Sequence, residues 1–501
     1  MQVRGDRSAA TDEDRASGGD RDAFDLVVIG SGPAGEKGAT QAAYYGHRVA
    51  VVERRADPGG SAIAVSGVPV KALRDAAVYL TGWSRRDVFG IGISLSPELV
   101  MDRLRAHVTG VVTGMSHAVG ANLDRHGIEL VHGEARLGPG RTVVVRDPAG
   151  AQRVLTGRVI LIATGSRPHH PAGMPFDDPD VHDSETILSI ERLPERLVVV
   201  GGGPVGTEYA SIFSALGVRV TMVDRGPRLL PMLDEEISAA LADSLVRSGA
   251  RIMFDSQVDA VQRSGAGLVV RVGEESISAD AVLQALGREG NVEGLGLEAA
   301  GVVVDTRGRI RVDDRFETTA PGVYAAGDIT GPPGLGSVAM EQARVAMCRA
   351  FDIPFKEAMD AMVPTGIYTL PEVSMVGLTE QAARRTGEEI GTGRTWFTGN
   401  ARARIAGSTE GLLKLVFRQS DRRLLGAHIL GEDATELIHV AQAVLHRDGV
   451  LDEFIDTTFN FPTRADAYKY AAYDGLPPRA ATLPGAGASA TRGDGTAGGP
   501  R

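Results

Sequence analysis

Two stretches of the chain space glycines in the way that cradles a phosphate. Gly30, Gly32 and Gly35 follow the apolar run FDLVVI, and Gly201, Gly203 and Gly206 follow RLVVV. In a G-x-G-x-x-G turn the first glycine allows the tight turn and the second lets backbone approach a pyrophosphate. The third lets the helix lie close on the strand, and the helix N-terminus faces the anion. Pro33, Ala34 and Val205 occupy the intervening positions where each helix begins. Glu53, followed by Arg54, and Asp224 each lie 23 positions past their first glycine. That is close to the ~20 at which a carboxylate accepts a bond from a ribose hydroxyl. Arg225 and Arg228 follow Asp224 and supply charge for a 2′-phosphate, so the second unit carries chemistry for NAD(H) and NADP(H) alike. Two such units imply two bound dinucleotides, and an enzyme with two passes electrons between a nicotinamide and a flavin.

These residues need strand–turn–helix–strand frames, and the sequence repeats one. Phe24–Ile29 reads as a buried strand, a helix runs to Gly46, and a second strand spans Arg48–Val52; the same order recurs through Gly217 and Asp224. The expected class is α/β, with two Rossmann-type dinucleotide-binding domains and a C-terminal α+β domain. At roughly 150 residues per domain, 501 residues accommodate three. The formal charge of −11 argues against nucleic acid or an anionic membrane as partner. No run approaches the ~18 apolar residues of a membrane span, and the expected location is cytoplasmic. Residues 1–22 read as a disordered polar tail rather than a signal peptide, and 479–501 as a low-complexity tail. The eleven histidines join no Cys or paired carboxylate at ligand spacing, so no metal site is expected. Cys348 is the single cysteine, and one thiol cannot form a redox pair within the chain.

Further motifs carry a family resemblance: ILIATGSRP at Ile160–Pro168, ALGREGN at Ala285–Asn291 and TTAPGVYAAGD at Thr318–Asp328. From about Phe24 to Leu476 the sequence resembles the two-dinucleotide-domain flavoproteins of the pyridine nucleotide–disulfide oxidoreductase class. Within that class it is most similar to the soluble, FAD-dependent pyridine nucleotide transhydrogenases, through PTGIYTLPEVSMVGLTEQ, ARARIAG and TTFNFPTRADAYKYAAYDGL. The resemblance implies an FAD domain at 23–190 and 288–357, an NAD(P) domain at 191–287, and a dimerisation domain at 358–478. It adds Gly60, Ala163, Thr164, Gly165, Gly287, Gly327 and Asp328 to the cofactor-binding residues, with Asp328 on the FAD ribityl chain. It pairs Lys71 with Glu208 beside flavin N5 and places Phe461 of the partner subunit against the opposite flavin site.

The same comparison shows what is missing. Register set by Gly59, Gly60, Pro69 and Lys71 puts Ala62 and Gly67 where dithiol members carry their two cysteines. Phe461 and Asp466 replace the family's C-terminal His and Glu, and a phenyl ring carries no proton. The similar transhydrogenases keep a first cysteine and a Ser before the lysine, where this chain has Ala62 and Val70. The implied activity is ping-pong hydride transfer between NADPH and NAD+ by a homodimer or higher oligomer, with nicotinamide nucleotides as substrates. The alternatives are a flavoprotein reductase or oxidase serving oxygen, a quinone or another small acceptor, and a non-catalytic flavin-binding scaffold.

Overall fold

A computed structural model describes residues 21–82 and 97–476. The tails expected at 1–22 and 479–501 lie outside the described residues except for residues 21 and 22, and the Asp22 carbonyl accepts the Thr156 amide.

The first domain runs β1 (Ala23–Ile29), α1 (Pro33–Tyr44), β2 (Val49–Glu53), α2 (Gly60–Ala64), α3 (Gly67–Thr81), α4 (Pro97–Arg125), β3 (Glu129–His132), β4 (Glu134–Leu137), β5 (Thr142–Arg146), β6 (Gln152–Ile162) and β7 (Ser166–Pro168). The second holds β8 (Val181–His182), β9 (Arg196–Val200), α5 (Pro204–Ala215), β10 (Arg219–Val223), α6 (Glu235–Arg247), β11 (Arg251–Met253), the strands β12 (Ala260–Ser264), β13 (Gly267–Val272) and β14 (Glu275–Ala279), and β15 (Ala281–Gln284). The chain then returns to the first domain through β16 (Arg288–Gly290), β17 (Val323–Ala325) and α7 (Gly336–Ala350).

Among the described residues the first sheet has the order β3-β2-β1-β6-β5-β4, with β17 on β6; the second has the order β11-β10-β9-β15-β8 and is parallel throughout. Leu26, Val27 and Val28 of β1 are wholly buried, as a central parallel strand covered on both faces must be. Because β8 pairs with β15, the second sheet draws on chain ahead of the boundary expected at 191. After β15 the chain pairs again with the first domain, β16 lying antiparallel to β7.

The third domain is an antiparallel sheet of β18 (Thr365–Ile367), β19 (Val373–Gly377), β20 (Ile390–Trp396), β21 (Leu412–Arg418) and β22 (Leu424–Leu430), with α8 (Glu380–Arg384), α9 (Ala401–Ala406), α10 (Ala434–Leu445), α11 (Asp452–Asp456) and α12 (Ala467–Asp474) around it. One apolar core joins all three domains: Val70 and Leu73 of α3, Tyr209 and Phe213 of α5, and Ile367, Val373, Leu412 and Leu430 of the third domain. Helix α3 therefore sits at a three-way junction. Cys348 is buried in α7, as its apolar surroundings in the sequence suggest.

Candidate active site

Both glycine turns take the shape their spacing demands. Gly30 has φ +100° and Gly201 φ +112°, a region that favours glycine. A Cβ on Gly35 would meet the Gly30 carbonyl oxygen at 1.8 Å, and one on Gly206 the Gly201 oxygen at 2.0 Å, so only glycine lets each helix lie on its strand. Gly32 and Gly203 are the N-caps of α1 and α5, and neither helix start receives a side-chain cap. The amides of each first turn therefore remain available to an anion.

A cavity of ≈ 1290 Å³ begins at the first turn and is bordered by Gly30, Gly32, Pro33, Ala34, Glu53, Arg54, Gly60, Ala163, Thr164, Gly165, Gly327 and Asp328. Ala62, Gly67, Lys71 and Tyr368 border the same cavity. A Cβ on Gly60 would meet Gly32 Cα at 2.7 Å, so two bare backbones form one wall, a cradle that a side chain would fill. Glu53 is buried at the end of β2, and its carboxylate accepts from the Ser31 amide at 2.9 Å, the Ser31 hydroxyl at 2.6 Å and the Arg55 amide at 2.9 Å. Asp328 Oδ2 accepts from Ser166 Oγ at 2.8 Å, which accepts from Arg288 Nε at 2.8 Å. Thr164 and Asn291 exchange two bonds of 2.9 and 2.8 Å, tying the ATG and GREGN segments together. A trough of this volume with a bare glycine backbone on its wall and the carboxylates of Glu53 and Asp328 on its lining fits a flavin dinucleotide.

Lys71, on the cavity wall, meets Glu208, with Nζ 3.0 and 2.9 Å from the two carboxylate oxygens. Lys71 comes from α3 and Glu208 from α5, so the pair bridges two domains. The third domain completes it: the Tyr368 amide donates to Glu208 Oε1 at 2.9 Å, and the Lys71 ammonium stands 4.9 Å from the Tyr368 ring centroid. Burial pushes the Tyr368 hydroxyl above its ordinary pKa, with the charge of Glu372 adding to the shift. One turn along α3, Arg74 binds Glu372 at 3.0 Å.

Ala62 and Gly67 both border the cavity, and a Cβ on Gly67 would meet the Ala62 carbonyl oxygen at 2.8 Å. Neither residue offers a group for redox or proton chemistry. Phe461 is 77 % exposed and does not border the cavity of its own chain; Asp466 is the residue before α12.

At the second turn Asp224 Oδ1 accepts the Gly202 amide at 2.9 Å and Oδ2 the Gly226 amide at 3.1 Å. Arg225 is exposed and borders a smaller cavity of ≈ 190 Å³. The expectation for Arg228 needs correction: its guanidinium donates to the carbonyls of Pro231 at 2.9 Å and Leu233 at 3.3 Å, so it braces its own loop instead of facing a phosphate. Val205 lies in the first turn of α5, and Gly287 (φ +99°) follows β15 with its carbonyl taking the His169 amide. Sequence reasoning missed Ser31, Ser166, Arg288 and Tyr368. Ser31 lay inside the quoted glycine turn, whereas Tyr368 reaches the site from a segment nearly 300 residues beyond Lys71.

Two phosphate-cradling turns, a trough at the first and a partly buried ion pair joining the two domains define a two-dinucleotide oxidoreductase. The chain belongs to the pyridine nucleotide-disulphide oxidoreductase family, whose model matches residues 24–347, and the family's dimerisation domain matches 363–472. It is 39 % identical over 453 residues, 90 % of this chain and 97 % of the relative, to a protein of Mycobacterium bovis named soluble pyridine nucleotide transhydrogenase. It is 38 % identical over 467 residues, 90 % and 98 % of the two chains, to one of that name from Pseudomonas putida. Among solved structures it is similar to LpdA of Mycobacterium tuberculosis (TM-score 0.83, 26 % identity, 90 % and 100 % covered). It is also similar to the HOCl-induced flavoprotein disulfide reductase RclA of Escherichia coli (TM-score 0.81, 26 %, 90 % and 99 %). No helix among the described residues is long and apolar enough to cross a membrane.

Proposed function

We propose that this chain is an FAD-dependent oxidoreductase that transfers hydride between NADPH and NAD+, working as a cytoplasmic homodimer. The observation that carries the reading is the Lys71–Glu208 pair, whose lysine borders the same cavity as two positions, Ala62 and Gly67, that hold no thiol. The names of the relatives and the dimerisation domain support it. When bound, FAD supplies a carrier that takes up two electrons as hydride and gives them up again.

The residues divide the remaining work. Gly30, Gly32 and the open first turn of α1 hold the FAD pyrophosphate, Glu53 its adenosine ribose, and Asp328 its ribityl chain. Gly201, Gly203 and the first turn of α5 hold the pyrophosphate of a nicotinamide nucleotide, and Asp224 its ribose. Lys71, paired with Glu208 and set against the Tyr368 ring, places a positive potential on the cavity wall. With one second-dinucleotide site and one Lys71–Glu208 pair per chain, the two nucleotides take turns. Phe461, exposed in the single chain, belongs to the surface offered to the second copy.

Initial rates with NADPH and thio-NAD+, whose reduced form absorbs apart from NADPH, test this reading. Parallel lines in double-reciprocal plots are expected; intersecting lines, or no formation of reduced thio-NAD+, contradict it.

A further inference from the structure

We propose that Lys414, a buried lysine of the third domain, is a positioning residue for the second nucleotide site, acting by anchoring the loop that starts at Asp224. The inference rests on the reading that this site binds a nicotinamide nucleotide.

Lys414 is the one charged residue within the run LLKLVF of β21, and its side chain is 1 % exposed. Its ammonium contacts Asp234 Oδ1 at 2.8 Å, Glu236 Oε2 at 2.9 Å and Glu380 Oε2 at 2.7 Å. Glu380 belongs to the third domain, whereas Asp234 and Glu236 belong to the second. Asp234 is wholly buried and caps α6 by accepting the Glu236 amide at 3.1 Å; its other oxygen accepts the Glu380 amide at 3.0 Å. An ammonium buried without partners is strongly disfavoured, and removing it would strand the carboxylates in turn, so the start of α6 is bound to β21.

From Asp234 the bonds lead back to the site. Leu229, Leu230 and Leu233 are buried in the three-domain core, and Arg228 grips the carbonyls of Pro231 and Leu233. The Leu230 amide donates to the Gly202 carbonyl at 3.0 Å, and the Gly202 amide donates to Asp224 Oδ1 at 2.9 Å. The loop thus closes on the glycine turn at one end and is fixed by Lys414 at the other. Freed from Lys414, the loop retains its apolar contacts but loses the fixed end that sets where Asp224 and Gly202 stand. A contiguous set of bonds is a route for coupling only if breaking its far end changes the near one.

Calorimetric titration of NAD+ into the full-length, FAD-loaded enzyme tests this. Lys414→Met and Asp234→Asn are expected to raise the NAD+ Kd by ~10-fold or more, while Glu380→Gln, which changes the lysine's partner from its own domain and keeps the backbone bond to Asp234, stays within about twofold. The limiting rate of flavin reduction at saturating NADH is expected to stay within about twofold in all three, because the Lys71–Glu208 pair is untouched. Asparagine caps a helix as well as aspartate does, so Asp234→Asn carries the test if Lys414→Met does not fold. A Kd unchanged in both variants, or raised equally in Glu380→Gln, overturns the proposal. Absence of NAD+ binding by the parent enzyme would instead overturn the reading of the second site.

Discussion

Lys71 and Glu208 come from separate domains and still meet with both carboxylate oxygens in bonding range, because Tyr368 fixes the carboxylate from a third direction. Lys71→Met leaves Glu208 buried with the Tyr368 amide as its remaining partner among the described residues and removes the positive potential from the cavity wall. Its limiting rate of flavin bleaching by NADPH, read by stopped-flow, is expected to fall ~10²-fold with FAD still bound. The missing thiols have a stoichiometric consequence. Anaerobic dithionite titration is expected to take up about two electrons per bound FAD, and uptake of about four would reveal a second redox pair. At this scale legibility was uneven. The glycine turns could be read because three steric demands fall within six residues, and Ala62 and Gly67 because register locates an absence. The Lys71–Glu208 pairing was legible only through resemblance, since nothing local to either residue points to the other.

Between residue and domain, the loop from Asp224 to Asp234 is, on the proposed reading, where the second site would select its nucleotide. With Arg228 bound to its own loop, Asp224 is left to repel a 2′-phosphate and only exposed Arg225 to attract it. Asp224→Ser is expected to shift the ratio of kcat/KM for NADPH over NADH upward by ~10-fold, measured as flavin-dependent reduction of an artificial acceptor. The Arg228 misreading shows the limit of sequence here: an arginine two residues past a glycine gives no sign that backbone carbonyls of its own turn will claim it. The anchor of this loop carries a pH signature. Burial holds the His428 imidazole below its ordinary pKa despite the nearby Asp234 charge. The unfolded chain therefore binds a proton that the folded chain refuses, and stability falls as pH drops below about 6.5. Burial opposes the charges of Asp234 and Glu380, but their bonds to Lys414 outweigh it and hold both carboxyls below their usual range, so their contribution is lost only toward about pH 4. Burial likewise opposes the Lys414 charge, and its three carboxylate partners raise its pKa on balance, so its contribution fades only above about pH 10.4. Thermal unfolding is expected to move down by ~2 °C or more from about pH 7.5 to 5.5, and His428→Gln is expected to flatten that slope.

For the whole molecule, the repeated strand–turn–helix unit made the two α/β domains legible, and their glycine turns lie where the pattern put them. The second sheet's edge strand was not, because Val181–His182 is too short to carry a period. The three-domain core around α3 was also hidden, since it joins apolar residues from Val70 to Leu430 whose sequence shows only that they are buried. That junction brings together Lys71 of the first domain, Glu208 of the second and Tyr368 of the third, and Ala62 and Gly67 on the same cavity as Lys71 leave the flavin as the last carrier. A single-turnover experiment tests this most directly: the FAD-loaded enzyme is reduced anaerobically with one equivalent of NADPH, freed of NADP+, and mixed with thio-NAD+. The account predicts flavin reoxidation matched one for one by reduced thio-NAD+. Reoxidation by oxygen but not by thio-NAD+, or no bleaching by NADPH in the first step, would contradict it.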